Sequence, residues 1–212
     1  MKASFHLVNL LATSILWGFF SFTVQADTLF VTDRAYLTGT YTGEVSYGFP
    51  HGHGTYRYRG GDEYIGEFKY NRLDGNGILS FSNGDNYRGE FRNDKRHGQG
   101  TYAFFSGDIY AGGFVNNKFN GQGTYMFVSG AKFVGQWRDD KRHGKGSLDF
   151  ANGDSYVGQW RDDKRHGKGV YIFLNGDTYV GEFKNDKRNG FGTYTYANGV
   201  AYSGEWRADK RQ

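Results

Sequence analysis

Five Lys–Arg pairs recur along the chain, Lys95/Arg96, Lys141/Arg142, Lys164/Arg165, Lys187/Arg188 and Lys210/Arg211. Arg92, Arg138, Arg161, Lys184 and Arg207 precede each lysine by three residues. Gathered on one edge, these cations could hold phosphate headgroups or an acidic protein surface, at up to about 1 kcal/mol per basic residue near an anionic membrane. The alternative is a solvated rim, since Asp139/Asp140 and Asp162/Asp163 adjoin the same pairs and partly neutralise them. Both readings stay open. Other reactive types offer less. Cysteine is absent, which removes thiolate chemistry, disulfides and thiolate metal sites. There is no Gly-x-Ser-x-Gly elbow and no phosphate loop ending in Gly-Lys-Ser/Thr. His97, His143 and His166 occupy equivalent places, with neighbouring copies about 10 Å apart if the elements between them are strands, too far to share a tetrahedral zinc ion. His51 and His53 are closer, but two ligands are a weak site, so the histidines read as turn residues beside glycine. A catalytic site is a singular feature, whereas everything here has near-copies. The expectation is a non-enzymatic protein without cofactor or metal.

Those copies come from a strict period. Tyr41, Tyr64, Tyr87, Tyr110, Phe133, Tyr156, Tyr179 and Tyr202 stand 23 residues apart, each with glycine two residues on. They open seven full units and a partial eighth over 41–212. Four glycines recur per unit, in the sixth as Gly158, Gly167, Gly169 and Gly176. Any helix of ordinary length would have to contain glycine, at about 1 kcal/mol apiece. Strands fit instead. Tyr156 and Trp160 flank Gly158, Tyr171 and Phe173 follow Gly169, and spacing by two places each set on one sheet face. The bare glycines leave room for a neighbouring ring to lie over the backbone. The other face carries shorter or polar residues such as Val157, Gln159, Thr193 and Thr195.

Two connections alternate. Asn83-Gly84, Asn152-Gly153, Asn175-Gly176 and Asn198-Gly199 predict tight hairpins, and the Asp-Lys-Arg-His-Gly stretches predict longer charged loops on the opposite edge. The fold class expected is all-β: an elongated, single-layer antiparallel meander of 23-residue hairpins, some fifteen strands and roughly 70 Å long. Its rims would be unlike, one basic and one holding Asp62, Asp85, Asp108, Asp154 and Asp177.

Residues 1–26 are a separate object. An uncharged run from Ala3 to Ala26 follows Lys2, with small residues before Asp27, the layout of a secretory signal peptide or, uncleaved, of an N-terminal anchor. The expectation is an exported protein (periplasm, cell envelope or secreted). Residues 27–40 read as a capping strand out of phase with the repeat. The net charge of +4 is too weak to demand nucleic acid.

Aromatic-x-Gly-x-aromatic, then Lys-Arg-His-Gly-x-Gly, then Asn-Gly-Asp, at this period resembles the MORN (membrane occupation and recognition nexus) repeat. The fifth and sixth units match best. The first departs, with Val45 and Pro50, and the fourth lacks the histidine and the acid. The resemblance implies a sheet used for association, with proteins or with acidic phospholipids. Three functions follow as expectations. The first is a scaffold for an unidentified protein partner. The second is a peripheral binder of acidic phospholipids through Lys95, Arg96, Arg138, Lys141, Arg142, Arg161, Lys164, Arg165, Lys187 and Arg188. The more remote third is a cell-wall or carbohydrate binder stacking sugars on aromatics. The aromatic candidates are Tyr102, Phe104, Trp137, Tyr156, Trp160, Tyr171 and Phe173, whose bland role is the core of a thin sheet. A single layer also leaves surface for a second copy, so a homodimer is expected.

Overall fold

The computed structural model describes residues 29–36 and 38–212; the expected leader lies outside them. The strands are Leu29–Tyr36 (β1), Gly39–Ser46 (β2), Phe49–Tyr58 (β3), Glu63–Lys69 (β4), Arg72–Ser80 (β5) and Asn86–Arg92 (β6). There follow Lys95–Ala103 (β7), Ile109–Val115 (β8), Lys118–Met126 (β9), Lys132–Arg138 (β10), Lys141–Asp149 (β11) and Ser155–Arg161 (β12). Lys164–Ile172 (β13), Thr178–Lys184 (β14), Lys187–Thr195 (β15), Ala201–Arg207 (β16) and Lys210–Arg211 (β17) complete the sheet. Every strand pairs antiparallel with its neighbour in sequence, from β1–β2 through β16–β17. The result is one open meander, with no helix among the described residues.

The two connections are the reverse of the expectation. The tight turn falls on two residues such as Asp162-Asp163, between β12 and β13, both in the left-handed region at φ 50° and 69°. Asn and Asp tolerate that conformation, and two such residues make the turn that matches strand twist. The Lys-Arg-His-Gly stretch therefore begins the next strand, so the histidines sit in strands and not in turns. Asn175-Gly176 lies instead within a longer connection, 173–177, closed by Gly176 N–H to Phe173 O at 2.9 Å and by Phe173 N–H to Asp177 O at 2.9 Å. We call these the turn rim and the loop rim.

Within each unit the register shifts just past the first glycine. In the sixth, Gly158 faces Gly169 but Trp160 faces Arg165, so one strand bulges around Gly167 (φ 62°). Gln159 Oε1 fills the bulge and accepts the Lys168 N–H at 3.1 Å; Glu90 does the same for Gln99 at 2.7 Å.

The core is built from rings on bare backbone. A Cβ on Gly169 would sit 2.5 Å from the Tyr156 hydroxyl, so the ring occupies the space a side chain would need. The Tyr156 hydroxyl then donates to the Gln159 carbonyl at 2.9 Å. Tyr156 meets Trp160 edge-on at 5.2 Å and Phe183 of the next unit at 5.1 Å. Tyr179 repeats this with Phe183 and Trp206. The zipper runs without a break from Tyr41 to Trp206, each edge-to-face pair adding about 0.5–1.5 kcal/mol beyond its burial. One layer thus buries the first ring of its full units, Tyr156 and Tyr179 being 0 % exposed, while Tyr171 and Phe173 remain half-buried.

Candidate functional site

The charged side chains divide between bonds that join units and side chains left in solvent. At the loop rim, Asp154 Oδ2 accepts the Tyr171 hydroxyl at 2.6 Å and Oδ1 accepts the Leu174 N–H at 2.9 Å, both from the following unit. Asp85, Asp108 and Asp177 make the same pair of bonds with Tyr102, Tyr125 and Tyr194 and with backbone N–H groups. The Tyr171 hydroxyl and Leu174 N–H hold the Asp154 carboxyl below the usual range, and Phe105 N–H and Tyr102 do so for Asp85. Burial, then the facing carboxylate, pushes Tyr171 up to about 12. The expected acidic rim is therefore not a free one. Its carboxylates turn inward because the next unit presents donors one repeat away.

The turn rim is joined in the same way. Asp163 Oδ1 accepts Arg142 N–H at 3.0 Å and Arg142 Nε at 3.2 Å, while an Arg142 terminal nitrogen donates to the Asp163 carbonyl at 3.0 Å. Arg165 and Arg188 repeat this with Asp186 and Asp209. Their guanidinium carbons lie over rings, Arg142 at 4.5 Å from Trp160 and Arg165 at 5.1 Å from Tyr171. Arg96 sits over Tyr102 at 4.8 Å and bonds to Asn117. These arginines point to the ring face.

The expected cationic ladder thus separates by side-chain direction. Lys95, Lys141, Lys164 and Lys187 are exposed, as are Arg138 and Arg161; Arg96, Arg142, Arg165 and Arg188 are half-buried. Arg161 stands directly opposite Lys164, Arg138 opposite Lys141, and Lys184 opposite Lys187, three like-charged pairs on the face away from the rings. Like charges placed opposite one another oppose strand pairing. Arg138 has a partial counter-charge in Asp162 at 3.5 Å.

Of the aromatic candidates, Tyr102, Trp137, Tyr156 and Trp160 are buried, and Phe104, Tyr171 and Phe173 are half-buried against them. The histidines lie half-buried at the bulge, with Nδ1 of His51, His97, His143 and His166 enclosed and free of hydrogen bonds. Burial first, then Arg161 and Lys184, lowers the His166 pKa. Among the described residues no group of three or more His, Asp or Glu could hold a metal ion.

The face opposite the rings is marked in the sequence only by its shorter or polar side chains and given no role there. Its hollows are lined by glycine backbone with Ile65, Ile78, Val134, Val157, Val170 and Val180, and by Lys145 and Lys168. Small β-branched residues flanking each glycine pair are the signal that could have marked it.

This is a β-hairpin repeat array whose repeats are joined at both rims and whose polar groups recur rather than converge. The MORN repeat family matches at 41–63, 64–86, 87–109, 110–132, 133–155, 156–178, 179–200 and 202–212, and the chain belongs to that family. A search of curated proteins finds no match. Among solved structures the chain is similar to the SAS-4 (dCPAP) TCP domain of Drosophila melanogaster, solved in complex with a proline-rich motif of Ana2, at 15 % identity and TM-score 0.45, covering 92 % of this chain and 99 % of that one. It is also similar to the TCP10 domain of Danio rerio CPAP, at 12 % identity and TM-score 0.43, covering 79 % and 84 %.

Proposed function

We propose that the chain is an exported, non-enzymatic repeat scaffold that holds a protein partner. One observation carries the reading: side chains able to do chemistry, such as Asp154, Tyr156, Tyr171, Arg142, Asp163 and Gln159 and their counterparts in other units, are committed to bonds within and between strands and units. What this leaves is extended surface, repeated along the ribbon, which suits association. Export rests on the sequence of residues 1–26. Affinity capture from the envelope or secretory space tests the reading. A stoichiometric protein partner is expected, and capture of none at any salt overturns it.

A second reading has its own support in the exposed like-charged pairs: peripheral binding of acidic phospholipids. Because Arg142 and Arg165 bond within the sheet, the informative substitutions are Arg138, Lys141, Arg161 and Lys164 to Gln together. Salt-sensitive flotation with phosphatidylserine vesicles, lost in that variant, supports lipid; no flotation at low salt rejects it.

A further inference from the structure

On the face away from the rings, three hollows of about 990, 520 and 460 Å³ adjoin. The first and second share Gln122 and Val134, and the second and third share Lys168. They form one trough from Ile65 to Thr193, across β4 to β15, about 50 Å long at about 4.8 Å per strand. Glycine pairs such as Gly89–Gly100 and Gly158–Gly169 floor it, because the rings that use those glycines lie on the other side. Exposed Ile65, Val134, Val157 and Val180 give it an apolar row, and Gln99, Gln122, Thr101 and Thr124 supply uncharged donors and acceptors.

Two properties say what would lie in it. The first is pitch. The lining repeats every two strands, about 9.6 Å, and one three-residue turn of polyproline II rises about 9.3 Å. The two stay in step to about 1.5 Å over five units. An extended β-strand, whose side chains return to one face about every 6.7 Å, does not. The second is charge. Lys145 and Lys168 line the trough and form no ion pair among the described residues. Its margin carries the pairs Arg138/Lys141, Arg161/Lys164 and Lys184/Lys187 on the same face. Among the described residues one acid lines the trough, Glu182, opposite Lys168 across β13 and β14, against the three cations Arg88, Lys145 and Lys168; Glu67 and Glu90 hold the N–H groups of Asn76 and Gln99.

We propose that this trough seats an acidic segment of a partner protein in polyproline II conformation, running along the ribbon one turn per repeat with carboxylates facing Lys145, Lys168 and the rim lysines. The inference rests on the protein-binding reading above and names its surface and the chemistry of its partner. Every third residue packs on the glycine floor, and the ring face takes no part.

The test uses the full chain and fluorescent peptides of six Pro-Pro-Glu triplets, six Pro-Pro-Lys triplets, and alternating Thr-Glu of equal length. Binding of the first alone is expected, weakening as salt rises. It should weaken at least tenfold in Lys145→Glu/Lys168→Glu and in Val157→Trp, which fills the trough. All three positions are exposed, and circular dichroism checks the sheet; Lys168→Gln, with a smaller expected loss, serves if a variant unfolds. No binding of the Pro-Pro-Glu peptide, equal binding of the other peptides, or full affinity in these variants overturns the proposal. Capture of a native partner equally by wild type and Lys145→Glu/Lys168→Glu overturns it while leaving the scaffold reading intact. Vesicle binding lost in that variant, without peptide binding, assigns the face to a membrane and also overturns it.

Discussion

The loop rim contains its own control for what joins one repeat to the next. At four junctions an aspartate meets a tyrosine of the following unit, Asp85–Tyr102 at 2.7 Å, Asp108–Tyr125 at 3.0 Å, Asp154–Tyr171 at 2.6 Å and Asp177–Tyr194 at 2.5 Å. Ala131 replaces the aspartate at another junction, and there the tyrosine position holds buried Leu148. The connection still closes, with Phe127 N–H bonded to Ala131 O at 2.9 Å, and the strands beyond it still pair, so neither requires the carboxylate, which at the other junctions adds a bond between units. Installing both partners should create the missing bond. Leu148→Tyr alone buries an unpaired hydroxyl and should cost about 1–3 kcal/mol. Ala131→Asp alone should be near neutral, gaining the Ala151 N–H but adding a charge. A hydrogen bond to a charged acceptor contributes about 1.5–3 kcal/mol when well buried, and this rim is partly open to water. The expected coupling in the double variant is therefore about 1 kcal/mol, about fivefold in a local opening equilibrium. Each unit touches only its neighbours, so global melting is a blunt measure; hydrogen exchange at the Ala151 amide reads the junction directly. Exchange in the double variant no slower than the two single effects combined would refute the claim that Asp–Tyr pairs bind unit to unit.

Gly169→Ala should destabilise the chain by at least about 1–3 kcal/mol, since the new methyl meets the Tyr156 ring and hydroxyl; urea unfolding checks it, and the exposed-turn variant Gly199→Ala should differ by showing only backbone strain at φ 86°. Arg165→Lys should cost about 1–2 kcal/mol by losing the paired donation to Asp186 and the stacking on Tyr171, measured the same way, whereas exposed Lys164→Arg should be neutral. Asp85, Asp154 and Asp177 have pKa values lowered by folding, so the stability they supply is present above the ordinary carboxylate pKa near 3.8 and is lost as pH falls through their lower folded values; the melting temperature should drop below about pH 4. Tyr171 and Tyr194, raised from 10.0 to about 12, act oppositely at the other end: stability is complete below pH 10 and disappears between 10 and 12, seen as tyrosinate absorbance rising together with loss of the β signal.

Much of this molecule was legible in its sequence because a repeated unit states each local rule several times. The alternation of Tyr156, Gly158 and Trp160 called for a strand whose ring lies over bare backbone, and the ring does lie there. Turn type was misread for a physical reason. Asn175-Gly176 is a strong hairpin signal in isolation, but Asp162-Asp163 also reaches left-handed φ at both residues, and pairing Trp160 with Arg165 selects that tight turn. The ladder was read as one object because lysine and arginine adjoin in sequence; in a strand, adjacent side chains face opposite ways, which sends Arg165 onto Tyr171 and Lys164 into solvent.

The sequence by itself determined the period, the all-β class and the dependence of the core on glycine beneath aromatic rings, since these follow from backbone sterics and side-chain alternation within a single unit. Only the tertiary structure decided which charges are free. Asp154 meets Tyr171 from 17 residues away and Asp163 meets Arg142 from 21 away, and such pairings are set by how one unit stacks on the next. The same stacking turns scattered valines and two lysines into a continuous trough, because a groove belongs to the sheet and not to any strand in it.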